Sequence, residues 1–369
     1  MKTLVSNLGA ELEQEHHPGS ELYRTVKDRL SRVFGESLDI ECVLDTIADI
    51  STRLSTGDLV KRTTPRLAHR LDLLREGAAP AVEEAFRVLD SHIDTNGPAA
   101  SNLLKFSTDY IRKVCADAQT PMASEQYRIT LLQLKNIRAI DGMNAEVAFP
   151  TIAIRTGEPL LAPLVATTNY DLCFEAFCAR YYAPYSNGFS HSGVEHEFDF
   201  NPDLFDNPRG IPLLKLHGSI DWWKTDANRV IESQYAAPGH LLRSGERITD
   251  VCIRYPVNDK QLFEYPYLEL YSRLGRFLRK SQVWLFIGYS FGDPSIRNLV
   301  VDLARPEKKI IVVHPRSDQL LLSNLRLNER IPSYAIQAKF PHRLSMEGIQ
   351  TAMTDHPLGR PSPGVRVVG

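Results

Sequence analysis

Three short apolar runs, each carrying the chain into a polar turn, constrain this sequence more than any other feature. Leu164-Val165 leads into Ala166-Thr167-Thr168-Asn169-Tyr170-Asp171. Leu213-Leu214-Lys215-Leu216 leads into His217-Gly218-Ser219, and Val283-Trp284-Leu285-Phe286-Ile287 leads into Gly288-Tyr289-Ser290-Phe291-Gly292-Asp293. Near-continuous apolar strands belong to parallel sheets covered on both faces. The carboxyl ends of such strands are where open α/β sheets hold their ligands. An amide, an imidazole, hydroxyls and carboxylates all leave strands at the same kind of end, so one shared site is the expectation.

The chain on either side of these runs divides by pattern. Ser20 as an N-cap, Leu22, Val26, Leu30 and Val33 at helical spacing, and Gly35 as a stop predict an amphipathic helix over 20–34. A second is predicted from Ile40 to Leu54, and helical patterns continue from 80 to 145, with Val82, Ala85, Phe86 and Leu89 on one face and Phe106, Tyr110, Ile111 and Val114 on another. A further helix is expected from Glu125 to Ile140, then a strand over 146–154. The cluster Arg53, Lys61, Arg62, Arg66, Arg70 and Arg75 reads as a solvated helix face rather than a docking surface. Beyond residue 145 strands alternate with helices expected at about 171–182, 266–280 and 294–304, ending in a strand over Lys309 to His314. The stretches 184–212 and 225–260, dense in Asn, Gly, Pro, His and Asp, read as loop insertions, and the Pro/Gly-rich end from Pro357 as frayed chain. The fold class expected is α/β: a Rossmann-like parallel sheet with helices on both faces, plus an α-helical lobe inserted in the N-terminal half.

Composition excludes several classes. Lys and Arg number 43 against 45 Asp and Glu, a net charge of -2, which gives no global field to draw nucleic acid or an anionic membrane. No apolar run approaches the roughly 20 residues that span a bilayer. The first seven residues lack the apolar core of a signal peptide. A cytoplasmic protein is the expectation. Cys42, Cys115, Cys173, Cys178 and Cys252 are scattered and odd in number, so they read as reduced core thiols and not as a zinc ribbon or a nucleophile. His191 and His196 have no third ligand at fixed spacing, and no metal is expected.

Taken in order, Thr167-Thr168-Asn169-Tyr170-Asp171, Lys215-Leu216-His217-Gly218-Ser219 and Ile287-Gly288-Tyr289-Ser290-Phe291-Gly292-Asp293 resemble the bacterial sirtuin-like (SIR2-like) domain family, whose members often act as NAD-consuming effectors in antiphage defence. Asp39-Ile40-Glu41-Cys42-Val43-Leu44 and Tyr265-Pro266-Tyr267 also look like elements of that family. The resemblance implies a sirtuin-like NAD-binding domain over residues 1–314, with a helical insertion at about 60–145 and loop insertions at about 184–212 and 225–260, followed by a C-terminal extension over 315–369. One departure stands out. The family opens with a strand and a Gly-Ala-Gly-x-Ser loop whose amides cradle phosphates, whereas Leu8-Gly9-Ala10-Glu11 lacks the second glycine and brings a carboxylate. Met1-Lys2-Thr3-Leu4-Val5 resembles the segment just after that loop, so a strand and glycine turn upstream of Met1 are expected.

By resemblance Asn169 and His217 are the catalytic pair of an NAD+ hydrolase releasing nicotinamide and ADP-ribose. Nicotinamide leaves NAD+ neutral and needs no general acid, which suits a site without the paired carboxylates of ordinary glycosidases. Asn169 would hold the ribose and water, and the imidazole of His217 is suited to take a proton near neutrality. Thr168, Asp171, Gly218, Gly288 and Ser290 join Asn169 as residues expected to bind NAD+, the substrate. Asp171 would orient Asn169, the local backbone or His217. Asp293 either joins them or caps the helix beginning at Pro294. Two other functions remain open: a non-enzymatic nucleotide-sensing or structural subunit, favoured by the missing glycine loop, and an NAD-dependent protein deacylase, disfavoured by the absence of a four-cysteine zinc module. The resemblance also implies a homo-oligomer or a complex with an ATPase or Argonaute-type partner.

Overall fold

The computed structural model describes residues 2–35, 38, 40–51, 97–117, 164–180, 183–191, 197–208, 210–254, 264–281, 283–327, 331, 333–336 and 365–367. The chain divides into two compact units, Met1–Val114 with Arg254–Asp259 and Cys115–Ile253 with Lys260–Gly369. In the first, the described elements are helices: Lys2–Gln14, Ser20–Phe34, Ile40–Ser51 and Gly97–Asp117. Leu8, Leu12, Tyr23, Val26, Leu30, Val43, Leu44 and Ile47 are buried, as the helical spacing of the apolar positions requires. Tyr23 donates its hydroxyl proton to the Val5 carbonyl at 2.7 Å, and the His17 and Phe106 rings lie 4.9 Å apart. Gly9 sits inside the first helix, where a Cβ would come within 3.3 Å of the Tyr23 ring. The basic cluster at 53–75, the helices expected at 80–89 and 125–140 and the strand at 146–154 lie outside the described residues.

The described residues of the second unit hold three sheets. Strand β1 (Val165–Thr167) pairs in parallel with β5 (Ile211–Lys215), which pairs in parallel with β2 (Tyr185–Ser186). Strand β9 (Val283–Ile287), β10 (Lys309–Val313) and β11 (Ser333–Ile336) form a second parallel group, closed by β12 (Val365–Val367) antiparallel to β11. The fold is therefore α/β with parallel strands, as expected, and among the described residues these strands are hydrogen-bonded in two groups. Strand β5 has both faces covered. Ile211 and Leu213 pack with Phe174, Phe177 and Cys178 of helix Cys173–Arg180, and Leu214 packs on the other side in a core with Leu270, Leu274, Trp284, Ile310 and Val312.

The alternation of side chains along a strand sets the next residue. Lys215 falls on the same side as Ile211 and Leu213, toward helix Cys173–Arg180. There it is fully buried, with Nζ 2.9 Å from Glu175 Oε1 and bonded to the Asp171 carbonyl.

The stretches 184–212 and 225–260, expected to be loops, carry strands instead. Besides β2 they supply β3 (Phe189–His191), β4 (Phe198–Phe200), β7 (Val230–Glu232) and β8 (Ile248–Ile253). With β6 (Gly218–Thr225) these make a five-stranded sheet in the order β3-β4-β7-β6-β8, antiparallel throughout. Phe189, Phe200 and Trp222 form its aromatic packing, Phe189 lying 4.9 Å from Trp222. No helix among the described residues is long and apolar enough to cross a membrane.

Candidate active site

The turn after β1 is built from its own hydroxyl and amide groups. Thr167 Oγ1 accepts the Asn169 N–H at 3.0 Å, and Asp171 Oδ1 accepts the Cys173 N–H at 3.0 Å, closing the first turn of the following helix. The Leu216 N–H donates to the Thr167 carbonyl at 2.9 Å, and the Ile220 N–H to the Tyr170 carbonyl at 3.1 Å. Asn169 is thus held between two bonds that tie its turn to the segment containing His217. Its side chain is exposed, that of Thr168 half-buried, and the Tyr170 ring lies 6.3 Å from the His217 ring.

His217 is 2 % exposed and Asp293 3 %. Asp293 Oδ2 lies 3.0 Å from His217 Nε2 and accepts the Tyr271 hydroxyl at 2.8 Å. Its Oδ1 accepts the N–H groups of Ser295 at 2.8 Å and Ile296 at 3.4 Å, capping helix Pro294–Leu303. Three donors, the Tyr271 hydroxyl and the Ser295 and Ile296 N–H groups, converge on one carboxyl, the pattern of an ionised carboxylate, which only accepts. Nε2 of His217 must therefore carry the ring proton, and Nδ1 keeps its lone pair. Nδ1 is buried without a hydrogen-bond partner among the described residues. This imidazole is held in one tautomer by an anion on one nitrogen and can take a proton on the other, the arrangement a general base needs.

The two roles considered for Asp293 are thus filled by its two oxygens, one on the helix and one on the histidine. Of the three partners considered for Asp171, the structure takes the local backbone. Asp293, not Asp171, is the carboxylate on His217. Tyr271, the third member of this network, was not foreseen. It lies on the inward face of helix Tyr267–Lys280 with Leu270 and Leu274, and nothing in its local sequence distinguishes it from a core aromatic residue.

The turn after β9 leads the chain to Asp293. Gly288 has φ +66° with nothing within 4 Å of where a Cβ would be, leaving open space above the strand end. Ser290 is exposed, and its carbonyl accepts the Asn324 side-chain amide at 2.9 Å. Phe291 adopts φ +58° although fully buried, its ring 4.9 Å from Phe286 and 5.0 Å from Tyr289. A non-glycine residue there costs about 1–3 kcal/mol, held by this packing, and the bend delivers Asp293 to His217. Gly218 is different. At φ +83° a Cβ would fall 1.9 Å from the Cys252 carbonyl oxygen, so packing alone requires glycine.

The remaining candidates keep their modest roles. Burial, with Asp171 adding to it, pushes the Cys173 thiol up to about 12, and Cys178 is raised further by burial. Neither is a nucleophile near neutrality. His191 is exposed with its ring edge-on to Phe198, His196 lies outside the described residues, and no three His, Cys, Asp or Glu side chains are grouped to hold a metal among those described.

His217 and Asp293 are thus in direct contact, the turn holding Asn169 is hydrogen-bonded to the segment around His217, and Gly288 and Ser290 lie in the turn that leads to Asp293. Comparison with known proteins bears on what this arrangement is. No curated protein matches the chain. Residues 163–338 match the family of SIR2-like domains, a span that takes in all three turns and whose relatives point to NAD-related activity in general. The chain carries a SIR2-like domain, with a Rossmann-like fold, over residues 163–338.

Proposed function

We propose that this protein hydrolyses NAD+ to nicotinamide and ADP-ribose, with His217 as base and Asn169 as the group that positions ribose and water. The observation that carries the reading is the His217–Asp293 pair, with the ring's other nitrogen, Nδ1, buried without a hydrogen-bond partner among the described residues. As the bond from the anomeric carbon to the pyridinium nitrogen breaks, nicotinamide departs neutral. A water adds to the oxocarbenium-like carbon and passes a proton to Nδ1. The imidazolium so formed is stabilised by the Asp293 carboxylate 3.0 Å away. Thr168, Asp171, Ser290 and the open space at Gly288 would complete the binding of the dinucleotide. In this reading the enzyme is a cytoplasmic antiphage effector that depletes NAD+, acting as a homo-oligomer or with an ATPase or Argonaute-type partner.

The test is nicotinamide and ADP-ribose release by the full protein with its activating partner. His217→Ala should lower turnover by about 10² to 10⁴ with the fold retained, and Asn169→Ala should be similarly damaging. Cys173→Ala should leave turnover nearly intact. Full activity in both the His217 and Asn169 variants would refute the assignment. One observation favours a second reading, a non-enzymatic nucleotide-sensing subunit: Gly9 and Ala10 lie inside helix Lys2–Gln14, so that stretch forms no phosphate-cradling loop. NAD+ binding without turnover in the intact, partnered protein would select it.

A further inference from the structure

A second cleft, of about 780 Å³, opens in the same unit beside helix Cys173–Arg180. None of Asn169, His217, Gly288 or Asp293 lines it. Its walls are the carboxylates Glu175, Asp221 and Glu232 and the aromatic rings of Tyr185, Phe198 and Tyr235. A volume of this size matches ordinary small-molecule sites, and the charge inside it is unbalanced. Lys215, the cation paired with Glu175, is fully buried. The Asn187 amide donates to Glu232 Oε1. Asp221 is 7 % exposed and its Oδ1 has no partner, and Glu175 Oε2 is likewise buried and unpartnered. Buried acceptors without donors are costly, and carboxylates more so.

We infer that this cleft binds a small aliphatic polyamine, whose ammonium groups satisfy Asp221, Glu232 and the free oxygen of Glu175. Three features converge on that class. The unfilled atoms are all acceptors, and an ammonium brings three donors and no acceptor. With all three carboxyls ionised, as a bound cation would hold them, the one lysine leaves an excess of two negative charges, which a ligand with two or more ammonium groups matches. The lining also holds three aromatic rings, and a cation over such faces is attracted while its methylene chain is buried. A divalent metal is the poorer fit, since no three ligating side chains are grouped for it among the described residues. Diphosphate-bearing molecules are repelled, so the cleft is separate from the NAD+ site in ligand as well as in place. Burial and the neighbouring carboxylates Asp221 and Glu175 push Glu232 upward, with Lys215 and Asn187 opposing. An arriving ammonium therefore expels a proton, and affinity rises with pH.

The experiment is calorimetric titration of the full protein with spermidine at low salt. Binding is expected to release protons, to strengthen from about pH 6.5 to about pH 8.5 and to weaken as salt is raised. Singly charged n-butylamine should bind at least tenfold more weakly. Asp221→Asn and Glu232→Gln, near-isosteric changes that remove like-charge repulsion, should each weaken spermidine at least tenfold, and the double variant should lose it. The pH, salt and butylamine series need only the unmodified protein, so a misfolded variant does not shield the inference. No heat at about 1 mM spermidine (a Kd weaker than about 1 mM), unchanged affinity in both variants, or Mg²⁺ held in preference to spermidine would each overturn it.

Discussion

Asp293→Asn separates holding the histidine from holding the helix. Asparagine caps helices about as well as aspartate, so the bonds from Ser295 and Ile296 survive with Oδ1 in place. The amide nitrogen then faces His217 Nε2 where a carboxylate oxygen had accepted, and the imidazole must turn from donor to acceptor there. The proton moves to Nδ1, the atom that should be empty. We expect kcat for NAD+ cleavage to fall by about 10² to 10⁴ with KM and melting temperature little changed. An unchanged kcat would show that the carboxylate matters to the helix alone. Asp293 acts through His217 and is a positioning residue, which is why the kcat and KM split decides its role.

Two glycines at strand ends make the corresponding comparison between elements. Gly288→Ala meets no atom within 4 Å, so only its φ of +66° is strained, a cost of about 1–2 kcal/mol. Its effect should appear as a raised KM for NAD+. Gly218→Ala drives a methyl onto the Cys252 carbonyl where β6 pairs with β8, and should cost roughly 4 kcal/mol in chemical denaturation. Equal losses of stability at the two sites would contradict this division. The ends of β5 and β9 were legible because their apolar runs are five residues long, and that of β1, only three residues, because its turn carries unusual chemistry. Helices Tyr267–Lys280 and Pro294–Leu303 were legible from periodicity and, at Asp293-Pro294, from capping. The antiparallel sheet was not. Phe189–His191, Phe198–Phe200 and Val230–Glu232 have three residues each, too few to show alternation amid Asn, Gly and Pro. Their identity comes from cross-strand partners, as does the pairing of His217 with a carboxylate 76 positions away.

At the scale of the molecule, the acidic cleft sets how stability responds to pH. Burial, and then Asp221 and Glu175, raise Glu232 from 4.5 to about 8, with Asn187 and Lys215 working the other way. The folded chain binds this proton more tightly than the unfolded chain does. Between those limits unfolding releases it, so this group's contribution to stability falls as pH rises through the window. Denaturation of the unmodified protein and of Glu232→Gln at a series of pH values should therefore diverge from acid to mildly alkaline conditions, the variant losing less. Parallel profiles would remove Glu232 as the source. The carboxylate of Asp293 has a reach of its own. One oxygen answers to His217 and the other to the amides of Ser295 and Ile296, so any change of charge on the imidazole is felt as a change in how tightly those two amides are held. The opening turn of helix Pro294–Leu303 is thereby a built-in reporter, and deuterium uptake at two backbone positions gives a record of protonation at a buried ring.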